Sequence, residues 1–587
     1  MHHQPFFREA TSYLARQSRR ANWVCKECRR SLSSTAARRV PASAATTTAS
    51  PSERPKPFYV TTPIFYVNAA PHVGHLYSMV LADIIKRHSQ LRGERAILLT
   101  GTDEHGMKIQ RAAEKAGVAP KPFCDKGADT FKELAIKANA TPDRFMRTTD
   151  EDHREAVQYA WQLLKEKDLI YSSKHEGWYA VSDETFYPAS AVHLVIEPWS
   201  GRKHMASIET GKEVEWTEEE NYHFRLSAFR DQLLDFYARN PGWIKPVQRH
   251  QQVVDWVSEG LQDLSVSRPS SRLTWGIPVP NDPSQTIYVW LDALINYITA
   301  AGYPWSPENA AKGGWPADVH IIGKDIVRFH CIYWPAFLMA LDLPLPAAIL
   351  THAHWTLGKE KMSKSTGNVV NPFYAIDRFG VDVMRYYLAR EGGIKDDASY
   401  DNEHIIRRYD RDLKGQLGNL ASRLTRSKKW RIKDAVKAAQ ASEKRLLYSN
   451  ESHRNQVQML ESRYSTVEKH MAEYNIPAAV NAIIDIIYKT NVYFSDQAPW
   501  ALASNGRVTE MNQVLYLCTE AVRITGILLQ PYMPERAGTL LDMLGVQEER
   551  RTAAYAVIGT DFDYGESKVD LGKGEHGTLF PPHISWD

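Results

Sequence analysis

Residues 58–75 read Phe58-Tyr59-Val60-Thr61-Thr62-Pro63-Ile64-Phe65-Tyr66-Val67-Asn68-Ala69-Ala70-Pro71-His72-Val73-Gly74-His75. The apolar start predicts a buried strand. A helix is predicted after it, because apolar residues there share one face: Leu76, Met79, Val80, Ile84 and Leu91. His72 and His75 then lie at the helix N-terminus, whose N–H groups and dipole attract anions. Gly74 would let a phosphate or a flat ring approach the backbone. A metal pair and ordinary core histidines are the alternatives.

A second stretch, Lys361-Met362-Ser363-Lys364-Ser365, places two lysines close together. Lysine ammonium groups bind phosphate as point charges. Such a loop can close over a triphosphate and neutralise the charge that develops when a phosphate bond breaks. The alternative is a solvated basic turn. A matching phosphate site elsewhere in the chain, such as the one at His72 and His75, favours the first interpretation.

Three further segments predict strands that end in polar residues. Residues 96–100 run into 101–106, residues 320–323 are followed by Asp325, and residues 348–352 lead towards the lysine stretch. Strands that alternate with helices in this way predict an α/β fold, a Rossmann-type doubly wound parallel sheet. Such sheets bind ligands at the carboxyl ends of their strands. Asp103 is therefore a candidate acceptor for an ammonium group.

The bulk properties of the chain are those of a globular protein. Its 587 residues are too many for one core and predict two to four domains. The formal net charge of +3 means that any nucleic-acid surface must be local. No apolar run approaches the roughly 18 residues of a membrane span, so no membrane partner is expected. Five scattered cysteines indicate a reducing compartment.

Residues 1–50 differ in composition from the rest of the chain. They hold nine Arg or Lys against two acids, and residues 31–50 are rich in Ser, Thr and Ala. This pattern predicts a transit peptide, for a mitochondrion rather than a plastid, and hence a mitochondrial matrix location. A basic tail that binds nucleic acid is the alternative. Cys25 and Cys28 have the spacing of half a zinc knuckle, but no second pair accompanies them, so we expect no zinc there.

The two opening motifs resemble those of the class I aminoacyl-tRNA synthetases. Residues 72–75 are similar to the family's HIGH signature, and residues 361–365 match its KMSKS signature letter for letter. From about residue 58 to 500 the chain resembles the methionyl-tRNA synthetases, most closely at 62–68, 101–106, 288–293 and 323–330. The resemblance implies a Rossmann catalytic domain that activates L-methionine with ATP and then charges tRNA(Met).

The resemblance also implies roles for individual residues. Asp103 would hold the amino group of methionine, steadied by Arg268. The methionine pocket would be lined by Ile64, Tyr66, Trp290, Ala293, Tyr297, Ile326 and His330. The catalytic residues would be His72, His75, Lys361 and Lys364. ATP, with Mg²⁺, would be bound by His72, Gly74, His75, Gly323, Asp325, Lys361, Ser363 and Lys364. A thioether has no charge, so selection by shape and aromatic contact is physically reasonable.

The sequence departs from this family in two places. Leu294 stands where the family often has proline. The region of the family's inserted connective peptide, often a zinc knuckle, has no cysteine between Cys124 and Cys331, so we expect no structural zinc and no metal site. Packing of aromatic residues should hold the insertion instead: Trp178, Tyr179, Trp199 and Trp216. The insertion is short, so we expect no hydrolytic editing domain.

After about residue 401 the pattern becomes helical throughout. Val480, Ile483, Ile484, Ile487 and Tyr488 form a stripe typical of a packed helix, and similar stripes predict an antiparallel bundle. The resemblance makes this the anticodon-binding domain, with Asn419 and Arg423 reading base edges and Trp500 stacking on a base. Residues 545–587 leave no room for an appended tRNA-binding barrel, so we expect a monomer.

We expect the following organisation: a leader (1–50), a first catalytic half (57–170), an insertion (171–245), a second catalytic half (246–398), a helical anticodon domain (399–545) and a tail (546–587). Two alternatives stay open at this point. One is another class I synthetase, such as a cysteinyl or leucyl type, although the scattered cysteines count against a cysteine-selective zinc site. The other is a synthetase-derived RNA-binding or splicing factor.

Overall fold

The structure is a computed structural model that describes residues 56–181, 185–305, 307–358, 360–361, 369–442, 450–569 and 578–581. The predicted leader lies outside these residues, as do Ser363 and Lys364. The strands are β1 (Phe58–Tyr66), β2 (Ala96–Asp103), β3 (Arg144–Arg147), β4 (Ile170–Ala180), β5 (Thr185–Tyr187), β6 (Val192–Ile196), β7 (Lys203–Ser207), β8 (Glu213–Phe224), β9 (Ile244–Lys245), β10 (Leu264–Ser265), β11 (Ser267–Pro269), β12 (Pro278–Val279), β13 (Asp282–Ile287), β14 (Val319–Gly323), β15 (Ile349–His352), β16 (Trp355–Leu357), β17 (Glu360–Lys361) and β18 (Ala398–Ser399).

The α-helices follow the same numbering along the chain. They are α1 (Val73–Leu91), α2 (Met107–Ala116), α3 (Pro120–Lys137), α4 (Glu151–Glu166), α5 (Arg230–Arg239), α6 (Val247–Ser258), α7 (Val289–Thr299), α8 (Pro307–Lys312), α9 (Trp334–Ala340), α10 (Pro372–Phe379), α11 (Val381–Glu391), α12 (Asn402–Arg408), α13 (Asn419–Thr425), α14 (Ile432–Ala441), α15 (Glu451–Ala472), α16 (Ile476–Gln497), α17 (Pro499–Ser504), α18 (Val508–Leu529) and α19 (Pro534–Leu544). Within the described residues, no helix is both long and apolar enough to cross a membrane.

A parallel sheet of six strands is formed by segments between Phe58 and His352. Its strand order is β3-β2-β1-β14-β15-β9, and every pair in it is parallel. Helices α1, α3 and α11 contribute to the apolar core on one side of the sheet, and α4, α6, α7 and α9 to the core on the other. This is the doubly wound α/β architecture, so the predicted fold class is confirmed. The carboxyl ends of β1, β2, β14 and β15 therefore meet at one edge.

Helix α1 matches its prediction closely. It runs from Val73 to Leu91, and Gly93 follows it with a positive φ of 84°. At its far end, His88 Nε2 lies 2.8 Å from Glu468 Oε1 on α15, and Arg92 Nη1 lies 3.4 Å from Glu468 Oε2. One rigid helix of about 28 Å thus joins the histidine pair to the helical domain.

The sequence after β14 also predicts a helix over residues 326–341, and the structure shows that this helix is not uniform. Lys324–Ile326 form a 3₁₀ turn and Phe329–Tyr333 a π-helical turn, and only Trp334–Ala340 are α-helical. Pro335 explains the widened turn, because it has no N–H to donate to the carbonyl four residues before it. That carbonyl, of Cys331, accepts the hydroxyl of Tyr237 instead.

The insertion is an antiparallel sheet of order β5-β4-β8-β7-β6, with β10 added on β8. Trp178 and Trp216 meet with ring centroids 5.3 Å apart, and Tyr179 is buried. Trp199 is 95% exposed, so the expectation that it packs in the insertion is wrong; it follows β6 in a turn and no side chain covers it there. Strand β9, at the end of the predicted insertion (171–245), does not join this sheet; it pairs with β15 in the parallel sheet.

The region after residue 401 is helical, as predicted. Val480, Ile483, Ile484 and Ile487 on α16 are buried against α15 and α18. The tail beyond α19 packs back onto these helices: Phe580 is buried with its ring 6.0 Å from that of Tyr409 on the helical turns before α13.

Candidate functional site

The first feature of the site is a pair of histidines that caps helix α1. His72 Nδ1 accepts the backbone N–H of Gly74 at 3.1 Å, and His75 Nδ1 accepts that of His72 at 3.1 Å. The two rings stack with centroids 3.7 Å apart. Because each Nδ1 accepts a hydrogen bond, each neutral ring carries its proton on Nε2. Two Nε2–H donors therefore stand beside the positive end of a helix dipole.

Close packing holds this pair in place. The His75 ring makes edge contacts with Phe65 at 5.0 Å and with Phe131 at 5.2 Å. A Cβ atom built on Gly74 would lie 2.9 Å from the His72 ring. Glycine is therefore needed here for space, and a larger residue would displace the capping ring.

The ends of β1 and β2 bring the next two predicted residues together. Tyr66 and Asp103 are register partners, and Asp103 is 3% exposed. Ile64 pairs with Gly101, where a built Cβ would lie only 2.1 Å from the carbonyl oxygen of Met146 and 3.0 Å from Ile64 Cγ2. The predicted methionine-pocket residues Ile64 and Tyr66 thus lie at the same sheet edge as Asp103.

A small apolar cluster joins Tyr66 to the other side of the predicted pocket. Tyr66 and Ile326 pack against the buried Trp290, and Phe329 stacks on Trp290 with centroids 3.5 Å apart. Phe329 was missed at the sequence level, although it lies inside the matching stretch 323–330. Ala293, one turn after Trp290 on α7, is 5% exposed. Leu294, the departure from the family, is buried in the core beneath the sheet.

Tyr297 and His330 form a hydrogen-bonded chain. His330 Nδ1 donates to the carbonyl of Ile326 at 3.0 Å, so Nε2 accepts the hydroxyl of Tyr297 at 2.7 Å. Complete burial lowers the pKa of His330 to about 4. The imidazole is therefore neutral at physiological pH. Five of the predicted methionine-pocket residues are thus linked by direct contacts: Tyr66, Trp290, Tyr297, Ile326 and His330.

The predicted adenosine-contacting residues lie at the end of β14. A Cβ built on Gly323 would lie 2.5 Å from Asp325 Oδ1, and Asp325 Oδ1 lies 3.2 Å from His354 Nε2. On the neighbouring strand, His352 Nε2 lies 2.7 Å from the hydroxyl of Ser78 on α1. Burial lowers the pKa of His352 to about 4. A second neutral histidine thus ties β15 to the capped helix.

Sequence reasoning missed a buried network beside the pocket. Asp292 Oδ2 lies 2.6 Å from His105 Nδ1, and its Oδ1 lies 2.8 Å from His153 Nε2. Burial opposes ionisation of this carboxylate, yet the hydrogen bonds and charges of the two histidines hold the pKa of Asp292 below its ordinary value. Asp292 lies next to Ala293, and His105 lies two residues after Asp103. The network therefore fixes α7 against the end of β2. Its only signals in the sequence were the positions of Asp292 inside the 288–293 match and of His105 inside the 101–106 match.

Arg268 is buried among aromatic side chains. Its guanidinium lies 4.5 Å from the ring of Tyr288 and 4.8 Å from that of Phe186, and it donates to Ser265 Oγ at 2.8 Å. The pairing of Arg268 with Asp103 stays a prediction. In the lysine stretch, the backbone of Lys361 forms β17 against β16.

A separate surface carries the residues predicted to read the anticodon. The Arg423 guanidinium lies 4.4 Å from the ring of Phe494 and 5.4 Å from that of Trp500. The Phe494 and Trp500 rings are 5.8 Å apart, and Trp500 is 38% exposed. Asn419 is exposed one turn before Arg423 on α13. Phe494 is a further residue that sequence reasoning missed.

The described residues contain no group of three or more His, Cys, Asp or Glu side chains arranged to hold a metal ion. Three cysteines, Cys124, Cys331 and Cys518, are buried thiols in the described part of the chain.

Comparison with known proteins agrees with these observations. Residues 58–425 match the family model of class I tRNA synthetases (M), and residues 448–567 match the anticodon-binding domain of methionyl tRNA ligase. A probable mitochondrial methionine–tRNA ligase of Neurospora crassa is 52% identical over 583 residues, covering 98% of this chain and 93% of the relative. The mitochondrial methionine–tRNA ligase of Homo sapiens is 44% identical over 540 residues, covering 89% and 90%.

A solved structure is similar over most of the chain. The methionyl-tRNA synthetase of Mycobacterium tuberculosis, in complex with methionyl-adenylate, superposes with a TM-score of 0.80 at 39% identity, covering 90% of this chain and 100% of that one. These matches favour methionine over the cysteinyl and leucyl alternatives and an active ligase over a splicing factor. The chain therefore belongs to the methionyl-tRNA synthetase family of class I, the ATP-dependent ligases that join methionine to tRNA.

Proposed function

We propose that this chain makes methionyl-adenylate from L-methionine and ATP in the mitochondrial matrix and passes the methionyl group to tRNA(Met) there. The relatives named as mitochondrial ligases support the organelle. One observation carries the proposed site. The histidine-capped end of α1 touches Phe65 through His75, and the next residue, Tyr66, belongs to the aromatic cluster of Trp290. A phosphate site and an apolar pocket are thus adjacent.

In the first step, the methionine carboxylate attacks the α-phosphate of MgATP, and pyrophosphate leaves. Catalysis of this kind relies on positioning and on neutralising charge. His72 and His75 donate Nε2–H bonds to the phosphates beside the positive end of the α1 dipole, and Gly74 leaves room for a phosphate to approach. Gly323 and Asp325 contact the adenosine. Lys361, Ser363 and Lys364 close on the departing pyrophosphate. Magnesium enters with ATP as part of the substrate.

The methionine pocket selects its substrate by the shape of its apolar wall and binds the ammonium group through one polar residue, Asp103. Trp290, Tyr66 and Ile326 surround the thioether, and Ala293 and Ile64 complete the wall. His330 is neutral and accepts a hydrogen bond from the Tyr297 hydroxyl, so neither side chain places a charge next to the sulfur atom of methionine. Asp103 binds the ammonium group of the substrate, which balances its buried carboxylate charge.

In the second step, the 2′-hydroxyl of the terminal adenosine of tRNA attacks the carbonyl of the adenylate, an ester bond forms, and AMP leaves. The tRNA is chosen by the helical domain, where Asn419 and Arg423 bind base edges and Trp500 stacks on an unpaired base. We propose that the chain acts as a monomer. We also propose that it holds no structural zinc, because residues 171–245 contain no cysteine. We also propose the domain boundaries predicted from the sequence: a leader at 1–50, a catalytic domain at 57–170 and 246–398, an insertion at 171–245, an anticodon domain at 399–545 and a tail at 546–587.

Methionine-dependent exchange of pyrophosphate into ATP tests this function. The full chain is assayed with each of the twenty amino acids, and exchange with methionine far above the others is expected. A different preferred amino acid would overturn the pocket assignment.

The variant Lys364→Ala tests the lysine stretch. Loss of one placed charge should cut exchange about 10²-fold or more while methionine binding, measured by calorimetry, stays the same. Lys115→Ala, an exposed lysine on α2, is the control. Wild-type exchange in Lys364→Ala would remove this residue from the mechanism.

A further inference from the structure

A run of basic side chains lies next to the residues predicted to read the anticodon. Residues 426–431, which we call the basic loop, connect α13 to α14 and read Arg426-Ser427-Lys428-Lys429-Trp430-Arg431. Lys428, Lys429 and Arg431 are exposed. Among the residues that the structure describes, neither Lys428 nor Arg431 forms an ion pair. The function proposed so far gives these charges no role.

The charge at this place is local. Residues 423–437 contain seven Lys or Arg and one acid, whereas the whole chain has a net charge of only +3. One of the seven, Lys433, is neutralised by Glu566 at 2.9 Å. Arg431 and Lys437 also interact electrostatically with Glu566. The positive charge that remains in excess, with Lys428 and Lys429 exposed, attracts a polyanion.

Hydrogen bonds and packing hold the basic loop in one conformation. Trp430 Nε1 donates to the carbonyl of Leu424 at 3.1 Å, and the Trp430 ring lies 6.4 Å from that of Phe494. The Lys429 N–H donates to Ser427 Oγ at 3.1 Å. A fixed backbone presents its lysines at defined positions, so less entropy is lost when a ligand binds.

Phe494 links the basic loop to the side chains proposed to read the bases. Phe494 contacts Trp430, the Arg423 guanidinium and the Trp500 ring. On the other side, Lys429 Nζ lies 3.4 Å from Ser504 Oγ, and Ser504 lies one helical turn after Trp500 on α17. A nucleotide whose base stacks on Trp500 therefore has its phosphate groups within reach of the basic loop.

We propose that the basic loop binds phosphodiester groups of the tRNA anticodon arm, on either side of the bases read by Asn419, Arg423 and Trp500. This inference rests on the proposed anticodon surface. Phosphate contacts position a nucleic acid, and base contacts specify it. The basic loop thus supplies affinity and salt dependence, and it does not choose the anticodon.

The test uses the full chain with Lys428→Ala, Lys429→Ala and Arg431→Ala combined, leaving Trp430 in place. The kcat/KM for tRNA(Met) should fall about tenfold to hundredfold at low salt, and the slope of its logarithm against the logarithm of salt concentration should become shallower by about 2. Methionine-dependent pyrophosphate exchange should not change. The ratio of kcat/KM between tRNA(Met) and the same tRNA with a substituted anticodon base should also stay the same.

A matched control removes the same charge elsewhere, with Lys115→Ala, Lys126→Ala and Arg239→Ala, all exposed. An equal loss in the control, a wild-type slope in the loop variant or a changed anticodon ratio would each overturn the inference. The conservative variant Lys428→Arg with Lys429→Arg should keep wild-type affinity. If the triple variant loses thermal stability, Lys428→Ala alone carries the test, with an expected slope change of about 0.7 to 0.9.

Failure of this inference is distinguishable from failure of the proposed function. If Arg423→Ala lowers anticodon discrimination while the loop variant behaves as wild type, the anticodon surface stands and the basic-loop contact is refuted. If the wild-type chain shows no methionine-dependent exchange, the proposed function fails and the inference fails with it.

Discussion

At the proposed methionine pocket, Trp290, Tyr297 and His330 are 8%, 1% and 3% exposed, whereas Trp500 on the proposed anticodon surface is 38% exposed. The pocket residues bond to one another, and burial keeps His330 neutral. On the other surface, the Arg423 guanidinium lies over the Phe494 and Trp500 rings, and Asn419 and the lysines of the neighbouring basic loop are exposed. The first region is thus a buried, mutually bonded set of side chains suited to an apolar side chain, and the second is an open, positively charged surface suited to a polyanion. Salt concentration should distinguish the two regions, because it screens exposed charges strongly and buried contacts weakly.

The largest effect is expected from Gly74→Ala. The added Cβ would lie 2.9 Å from the His72 ring and push it off the helix end. The kcat for adenylate formation should fall about 10²-fold, as misplacement of a catalytic group by about 1 Å does, with little change in KM for methionine. Gly538→Ala, where a Cβ meets nothing within 4 Å, is the control. If the loss of kcat in Gly74→Ala is the same at low and high salt, the histidine-capped end of α1 behaves like the buried pocket and not like the exposed charged surface.

Arg423→Ala addresses the other region. It removes the cation that lies over Phe494 and Trp500, so kcat/KM for tRNA should fall about tenfold to hundredfold and discrimination among anticodon bases should weaken. Pyrophosphate exchange should stay at the wild-type level. Arg411→Ala, an exposed arginine over Tyr488, is a matched control. If the loss from Arg423→Ala were the same at all salt concentrations, the contrast between the two regions would break.

Tyr297→Phe should raise KM for methionine about tenfold, because His330 Nε2 loses its donor and is left buried and unsatisfied. The effect should not depend on salt. In Tyr303→Phe the deleted hydroxyl is also buried but has no hydrogen-bond partner in the described part of the chain, so KM should not change. Equal behaviour of the two variants would show that the Tyr297–His330 bond does not shape the pocket.

The smallest effect concerns pH and stability. The pKa of His352 is about 4 in the fold, because burial disfavours its charged form, and near 6.5 when unfolded. Between these values only the unfolded chain binds the proton, so the free energy of unfolding falls as pH falls, by about 1.4 kcal/mol per pH unit for this group. His330 acts in the same direction, and Asp382, whose pKa burial raises to about 6, acts in the opposite one.

The variant His352→Gln isolates that contribution. Gln keeps polar atoms for Ser78 and does not titrate, so the unfolding free energy should depend less steeply on pH between about 6.5 and 4.5 than in the wild type. Urea unfolding at several pH values measures both slopes. Identical slopes would mean that His352 titrates normally in the folded chain.

Much of the fold could be predicted because its signals are local. The apolar spacing from Leu76 to Leu91 gave α1 nearly to the residue, and the stripe on α16 gave a buried helix face. The prediction failed where a local pattern was overruled by distant partners. Pro335 widened the helix after β14, since the Tyr237 hydroxyl could satisfy the carbonyl it left. Trp199 reads as a packing residue, yet its turn at the end of β6 leaves it in solvent.

The sequence alone determined the α/β class and the two signature motifs, because periodicity and motif spacing are properties of neighbouring residues. The residues proposed to bind ATP, methionine and tRNA came from the resemblance to the methionyl-tRNA synthetases and stay predictions. Only the tertiary structure decided which side chains meet and in which protonation state. The Tyr297–His330 bond, the network of Asp292 with His105 and His153, and the nest of Arg423 on Phe494 all join residues far apart in the chain. Their geometry, and the burial that shifts the pKa of His330, exist only once the chain has excluded water from between them.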